Sequence, residues 1–599
     1  MPEAFQVDLR GVVDLLSHHL YSSPRVYLRE LLQNATDALH ARALAEPGFK
    51  GSIRLAVPDE PGGTLVVRDD GIGLTEDEVH RFLATIGGTS KRDELSFPRS
   101  DFLGQFGIGL LSCFLVADEV TIATRSITGD PAVRWVGRAD GSYTVERLDA
   151  DLDAGTAVYL RPRPDAVELT SVASVRALAH HFGDLLPHPV TLVSGGHSER
   201  INGDGVPWRW SFETPAERRE ALLAYGASVF ETEFLDVVPL RVPVAGLEGL
   251  AFVLPFSPSP AAPPSHRVYL KRMLLSDQAT GLLPDWAFFV RCVIDAGELR
   301  PTASREALFE DEVLEATREA LGQELRRYLV RLAATEPERL RRLIELHHLS
   351  IKALAVHDAE LLAMMARWLP FETSVGTLTL SECRRRSPVL RYTRTRDAFR
   401  QLAQVAAAQG LCIVNGGYVY DADLLELLPE AVPGTRVEAV EPADLLRDLD
   451  EVTPAELAGA ADLLAQAAEV LRPFDCGPEL RSFEPASVPT LYAPEPDGEL
   501  RRSIGQARDA SRGLLGEVLG ALDAAAPDVG ARLCLNWANP LVQRLAAIQD
   551  RALRAAAIEL LYVQALLLGH HPLRTRELGV LNGSLLGLLD HALDAERAR

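Results

Sequence analysis

Glu30, Asn34 and Asp37 stand four and three residues apart in the run RVYLRELLQNATDALHARALAE. On a helix that spacing sets them on one face, one above the other. A carboxylate beside a carboxamide suits a divalent cation and a water. Asn offers a hard oxygen ligand, and Glu can orient or deprotonate a nucleophile. A solvated polar stripe would carry the same residues, so the triplet needs a context. The run has no internal Gly or Pro, Pro24 stands at its first turn, and Val26, Leu28, Leu31, Leu32, Ala35, Ala38 and Leu39 recur at helical spacing. This predicts an amphipathic helix from about Pro24 to Ala45.

Two further stretches bear on the same chemistry. Residues 52–57 and 64–69 read as strands joined by the turn-rich PDEPGG. The second strand ends in Asp69-Asp70-Gly71-Ile72-Gly73-Leu74-Thr75. A carboxylate at a strand end followed by two glycines makes a tight turn where backbone can approach a ligand, although an ordinary hairpin would look similar. A helix is expected from Glu76 to Ile86, then Gly87-Gly88-Thr89-Ser90-Lys91 and a polar segment to Asp101, with the hinges of a mobile lid. Phe102-Leu103-Gly104-Gln105-Phe106-Gly107-Ile108-Gly109-Leu110-Leu111-Ser112 follows. Glycines at this spacing, leading into an apolar helix, can wrap backbone N–H groups around phosphates. No Lys-Ser/Thr follows, so it is not a P-loop, and its position and spacing exclude a dinucleotide fingerprint. Strands near 119–125, 132–138, 142–147 and 156–161 and a helix near 172–184 would complete an α/β sandwich with a mostly antiparallel sheet.

Composition bounds the rest. At 599 residues, with 47% hydrophobic and 24% charged residues, the chain reads as a multidomain globular protein of three or four domains. No apolar run approaches a membrane span, and the N-terminus lacks a basic region followed by an apolar one, so neither membrane nor secretion is expected. The net charge of −23 argues against nucleic acid as partner. Cys113, Cys292, Cys383, Cys412, Cys476 and Cys534 are scattered with no C-x2-C pair, which fits a reducing cytoplasm and excludes a zinc ribbon. Four His-His pairs occur, but helical neighbours diverge by about 100° and chelate poorly.

Taken in order, RELLQNATDAL, DDGIGLT, TIGGTSK, FLGQFGIGLLS and GTAVYL resemble the ATP site of the GHKL superfamily, and among its branches the heat-shock protein 90 chaperones, the bacterial HtpG type included. Residues 268–311, HDAELLAMMARWLPFETS (357–374) and the strand-like LCIVNGGYV (411–419) are similar to that family's middle domain. NWANPLVQRL with ELLYVQALLLG looks like its C-terminal dimerisation domain. The resemblance implies an N-terminal GHKL (Bergerat-type) α/β sandwich over 1–195. An α/β middle domain would span 196–470, its large part reaching about 335 and its smaller part covering about 375–450. A helix-rich dimerisation domain would occupy 471–599.

It also implies roles. Asp69 would accept from the exocyclic amine of adenine, favouring ATP over GTP, with Thr156 supporting the same edge. Asn34 would ligate the Mg2+ that bridges the phosphates. Gly104, Gly107 and Gly109 would offer backbone donors, with Asp37, Ala38, Ile72, Gly73, Leu74, Gln105, Phe106 and Ile108 around the nucleotide. Glu30 would activate water, and Arg305, from the middle domain, would neutralise the γ-phosphate once the domains close. The bland reading of Arg305 is a local pair with Glu306 or Glu310. The chain departs from the family pattern at Ala41, Phe82, Ala84, Leu110 and Phe309 and in a shorter lid, which bears on lid closure and coupling. The implied function is a cytoplasmic, homodimeric, ATP-driven chaperone acting on unfolded or partly folded clients, without tail-binding cochaperones. The alternatives are a nucleotide-gated scaffold with weak or no ATPase, or another GHKL-branch ATPase.

Overall fold

The structure, a computed structural model, describes residues 23–83, 109–203, 205–259, 265–302, 304–494 and 530–597. The expected lid, Ala84 and the glycine-loop residues Gly104, Gln105, Phe106, Gly107 and Ile108 lie outside the described residues. The chain divides into two compact units, 1–336 and 337–599. The division expected near 195 falls between two paired strands, Val190–Ser194 and His197–Arg200, and that near 471 at the end of the helix Ala461–Leu471, between two strands of one sheet.

In the first unit, α1 (Val26–Ala45) is followed by β1 (Ile53–Ala56), β2 (Leu65–Asp69), α2 (Glu76–Phe82), a 3-10 helix at Gly109–Leu115, β3 (Glu119–Arg125), β4 (Val133–Arg138), β5 (Tyr143–Arg147), β6 (Gly155–Leu160), α3 (Val172–Gly183), β7 (Val190–Ser194) and β8 (His197–Arg200). The eight strands form one sheet in the order β5-β4-β3-β6-β2-β1-β7-β8, antiparallel except where β1 meets β7. Alternation decides which face is covered: in β2, Leu65, Val67 and Asp69 are buried and the residues between them are half-exposed. The apolar stripe of α1 lies in the same core as these strands, the 3-10 helix and α3. Leu28, Leu32 and Leu39 have no exposed surface, each contributing about 2 kcal/mol of burial. The apolar helix expected after the glycine loop is a 3-10 helix instead, and Leu111 to Leu115 are buried without amphipathic alternation.

The unit continues with α4 (Pro215–Phe230), β9 (Asp236–Val242), β10 (Leu247–Val253), β11 (His266–Leu270), β12 (Met273–Ala279), β13 (Val290–Ala296) and α5 (Glu312–Thr335). These strands make a second sheet in the order β12-β11-β13-β10-β9. After β13 the chain makes a tight excursion closed by a bridge between Pro301 and Leu308, and Arg305 sits in it at φ +56°.

The second unit opens with α6 (Pro337–Ala355) and α7 (Ala359–Met365). A sheet follows in which β14 (Pro370–Thr373), β15 (Gly376–Thr379), β16 (Val389–Thr393), β17 (Ile413–Asn415) and β18 (Arg436–Ala439) run in the order β15-β14-β17-β16-β18. Helices α8 (Leu380–Arg386), α9 (Arg396–Ala408), α10 (Asp421–Ala431) and α11 (Pro442–Arg447) connect these strands and lead out of the sheet. Only Ile413–Asn415 of the strand-like 411–419 is strand. Gly416 and Gly417 turn the chain beside Thr393 and Arg396, where a Cβ would meet backbone at 2.6 and 2.2 Å.

A four-stranded sheet of β19 (Asp450–Glu451), β20 (Cys476–Ser482), β21 (Thr490–Pro494) and β22 (Ala531–Asn536) is accompanied by α12 (Pro454–Gly459), α13 (Ala461–Leu471), α14 (Pro540–Ala547), α15 (Arg551–Leu568) and α16 (Thr575–Arg597). No helix among the described residues is long and apolar enough to cross a membrane.

The turn after β2 is seated so closely that it offers a test of this packing. Gly73 lies at φ +68°, and a Cβ there would fall 1.8 Å from the Arg125 carbonyl oxygen, whereas Gly129 at φ +88° has nothing within 4 Å. Gly73→Ala is expected to destabilise the first unit by about 3 kcal/mol and Gly129→Ala by about 1 kcal/mol. Urea denaturation of the two variants beside the parent chain checks the difference.

Candidate functional site

Helix α1 carries the proposed chemistry on its first three turns. Glu30 is 1% exposed and Asp37 4%, so the polar stripe is not a solvated face, while Asn34 between them is exposed. Asn34 makes no hydrogen bond to the described residues, leaving its amide oxygen available to a ligand. Asp37, expected as an orienter or a surface acid, is a buried acid.

Both oxygens of Glu30 are held. Arg29 reaches Oε1 at 3.2 Å, and Arg305 Nη1 donates to Oε2 at 2.7 Å. Arg305 Nη1 also donates to Gln33 Oε1. Arg29 in turn donates to the carbonyls of Arg305 at 3.0 Å and Ser304 at 3.1 Å. Thus the excursion after β13 is pinned to α1 at its backbone and at its side chain. Arg305 pairs across 275 residues of sequence. Of its two expected local partners, Glu310 is engaged instead by Arg318. Neither Arg29 nor Gln33 stands out in the sequence, because a residue next to Glu30 on a helix points about 100° away from it.

Gly109, the last glycine of that motif, lies against the same acid. A Cβ on Gly109 would lie 2.5 Å from Glu30 Oε2, so only a glycine lets the backbone pass there. Leu110 packs on the core, Ala41 is buried, Phe82 is half-buried on α2 and Phe309 is exposed.

Asp69 closes β2 opposite Thr156 in register. It is 6% exposed, its Oδ1 accepts from the Gly71 N–H at 2.8 Å, and the Thr156 backbone also donates to it. Burial outweighs these donors and the weaker attraction of Arg68, and its pKa is pushed up to about 7. The turn that follows is fixed on three sides. Ile72 N–H donates to Ala38 O at 3.1 Å, Arg42 to Asp70 O at 2.8 Å, and Leu74 N–H to Thr124 Oγ1 at 3.0 Å. A Cβ on Gly71 would meet the Ala38 Cβ at 2.5 Å, so both positions need small residues. Thr124 also shares a hydrogen bond of 3.0 Å with Thr156 Oγ1. Thr124 joins the floor of the site from β3; a single threonine in a strand carries no sequence signal for that role.

A buried carboxyl beside backbone donors, under a glycine turn, and a second acid held by arginines beside an exposed amide are groups that could take a purine and its phosphates. Residues 21–151 match the family model described as histidine kinase-, DNA gyrase B- and HSP90-like ATPase, and residues 261–383 match that of the Hsp90 protein. The two matches lie on separate segments of the chain. Its relatives include the chaperone protein HtpG of Streptomyces coelicolor, 32% identical over 379 residues, which are 56% of this chain and 58% of the relative. That of Salinispora tropica is 30% identical over 383 residues, 56% of this chain and 58% of the relative. That of Geobacter sulfurreducens is 29% identical over 360 residues, 53% of this chain and 55% of the relative. The similarity thus spans little more than half the length of each.

The state of Asp69 is pH-dependent. The folded chain holds the Asp69 proton up to about pH 7, whereas an exposed aspartate loses it near 4. Between those values the folded state binds the extra proton, so this group's contribution to stability declines as pH rises through the window. A donor such as an adenine amine favours the ionised form. Adenosine, which has no phosphate to titrate, is expected to bind more tightly as pH rises from about 6 to 8, by up to about tenfold per unit below the midpoint. Calorimetric titration across that range, with an affinity that does not change, would remove the acceptor role.

Proposed function

We propose that this chain is an ATP-dependent molecular chaperone that works as a cytoplasmic homodimer on unfolded or partly folded client proteins. The observation that carries the reading is the grip of Arg305 on Glu30: a guanidinium from the second sheet seated on the buried acid of α1, next to the exposed Asn34. The matches to the ATPase and Hsp90 family models and the HtpG names of the similar proteins support the same reading.

Asp69, with Thr156 and Thr124 behind it, would take the adenine edge, which guanine cannot offer because it presents an acceptor there. Gly109 and the glycine loop would bring backbone donors to the phosphates. Asn34 fits a hard divalent cation, being exposed, oxygen-bearing and on the Glu30 face. Bound Mg2+ would supply charge neutralisation between the phosphates. Glu30 would orient water and take its proton. That requires Oε2 to be released, and a γ-phosphate oxygen is the acceptor to which Arg305 would turn. Arg29 would keep Oε1 and hold the acid in place. The engaged state of both Glu30 oxygens also favours a second reading, a nucleotide-gated scaffold in which the arginines never let go.

One assay separates the two. In steady-state ATPase measurements on the full chain, Glu30→Ala is expected to keep ATP binding while turnover falls about a hundredfold or more, and Arg305→Ala to lower turnover too. A parent chain that binds ATP but does not turn it over would leave the scaffold.

For the homodimer, the support is α16. Leu578, Leu585, Leu589 and Leu593 are 46–57% exposed and follow one another at seven, four and four residues, a helical stripe. Gly579, Gly583 and Gly587 leave open space along the same helix. A second copy of the helix is the partner such a stripe suits, through a two-fold interface. Of the leucines on which the sequence reading rested, Leu545 and Leu561 are core residues, while Leu541 and Leu567 are exposed. Replacing Leu585 and Leu589 with Asp is expected to give a monomer by light scattering, with reduced ATPase.

A further inference from the structure

Cys383 and Cys412 are 29 residues apart in sequence, yet their sulfurs are 3.8 Å apart. Cys383 lies in α8 and has no exposed surface. Cys412 lies one residue before β17 and is partly exposed. The pairing of β14 with β17 and the short path from β15 into α8 bring them together. The other four cysteines, Cys113, Cys292, Cys476 and Cys534, are buried. A disulfide has its sulfurs about 2.05 Å apart, so closing this pair takes about 1.8 Å, within reach of a rotation about one Cα–Cβ bond.

The surroundings differ for the two thiols. The hydrogen bond with Cys383, the Thr373 side chain and the Arg386 guanidinium favour the Cys412 thiolate. They push its pKa down to about 6 against the opposing effect of burial. The same hydrogen bond, burial and the neighbouring Glu382 push Cys383 up. The exposed sulfur is therefore the nucleophile, and the buried one is held in reserve beside it.

We propose that Cys412 and Cys383 form a peroxide-responsive dithiol that closes to an intramolecular disulfide between α8 and the start of β17. In the first step the Cys412 thiolate attacks one oxygen of hydrogen peroxide, the O–O bond breaks, and hydroxide leaves with Cys412 as a sulfenic acid. In the second the Cys383 sulfur, giving up its proton, attacks the Cys412 sulfur and expels the hydroxyl as water. Two thiols are oxidised, one peroxide is reduced, and two waters are formed.

The test uses the full reduced chain at neutral pH with hydrogen peroxide near stoichiometry, followed by alkylation and peptide mapping. The expected result is loss of two hydrogens, a Cys383–Cys412 cross-link within one chain, and reversal by a dithiol reductant. Iodoacetamide should label Cys412 of the reduced chain about tenfold faster than any of the buried four, with a pH midpoint near 6. Cys383→Ser should stop at a sulfenic acid on Cys412 that dimedone traps, and Cys412→Ser should leave Cys383 reduced. Labelling of Cys412 no faster than that of Cys534, a sulfenic acid that persists in the parent chain, or a cross-link only between chains would each overturn the proposal. The mapping of the parent chain decides the matter even if a serine variant fails to fold.

Discussion

A carboxylate with 1% of its surface exposed is costly to hold ionised inside a protein, and the first unit is arranged around meeting that cost at Glu30. Two guanidiniums take one oxygen each. Arg29 comes from the same helix and Arg305 from the excursion after β13, and Arg29 also donates to the carbonyls of Ser304 and Arg305. One arginine thus pairs with the acid and holds the loop that delivers the other. That explains how Arg305 tolerates a left-handed backbone at φ +56°: its N–H donates to Thr302, its carbonyl accepts from Arg29, and its side chain is committed. Removing any member leaves a buried charge or an orphaned carbonyl, so the site and the seating of the second sheet's loop on α1 stand or fall together.

Asp69 shows the other way to bury an acid. It has backbone donors and only the weaker attraction of Arg68, and it responds to burial by holding a proton. The two carboxyls differ in their surroundings: one is paired with two arginines, the other waits for a donor. The glycines of the turn matter for the same reason. Gly71 and Gly73 let the backbone lie against Ala38 and Arg125, and this places the Asp69 carboxyl at the floor. Gly109 lets its own backbone lie against Glu30.

The second unit has a different chemistry. Its sheets bury their apolar faces well, but α16 leaves a leucine stripe uncovered, and the fold places two of the six cysteines in contact. Exposed leucines at this density form the kind of apolar surface that the proposed dimer would cover. A thiol pair with one exposed and one buried sulfur is an arrangement that a purely structural core does not require.

Much of this could be read from residues alone, where the signal is local. The α1 helix, the strand ending at Asp69, the strands from 119 to 160 and the helix from 172 follow from periodicity and turn residues, and the structure places each within a residue or two. Glu30, Asn34 and Asp37 share a face because helix geometry requires it. What the sequence could not contain is what comes from pairing across the chain. Arg29 points off the Glu30 stripe and gains its meaning only when residues 304 and 305 arrive. Thr124 joins Asp69 through the β3–β6–β2 register. Cys383 and Cys412 look scattered until β14 pairs with β17. Leu585 and Leu589 have the same helical period as core leucines, and only the packing of α15 and α16 decides that they face outward. Local spacing determines elements and the residues that share a face; contacts between distant segments, which depend on sheet order and register, decide which of those residues meet.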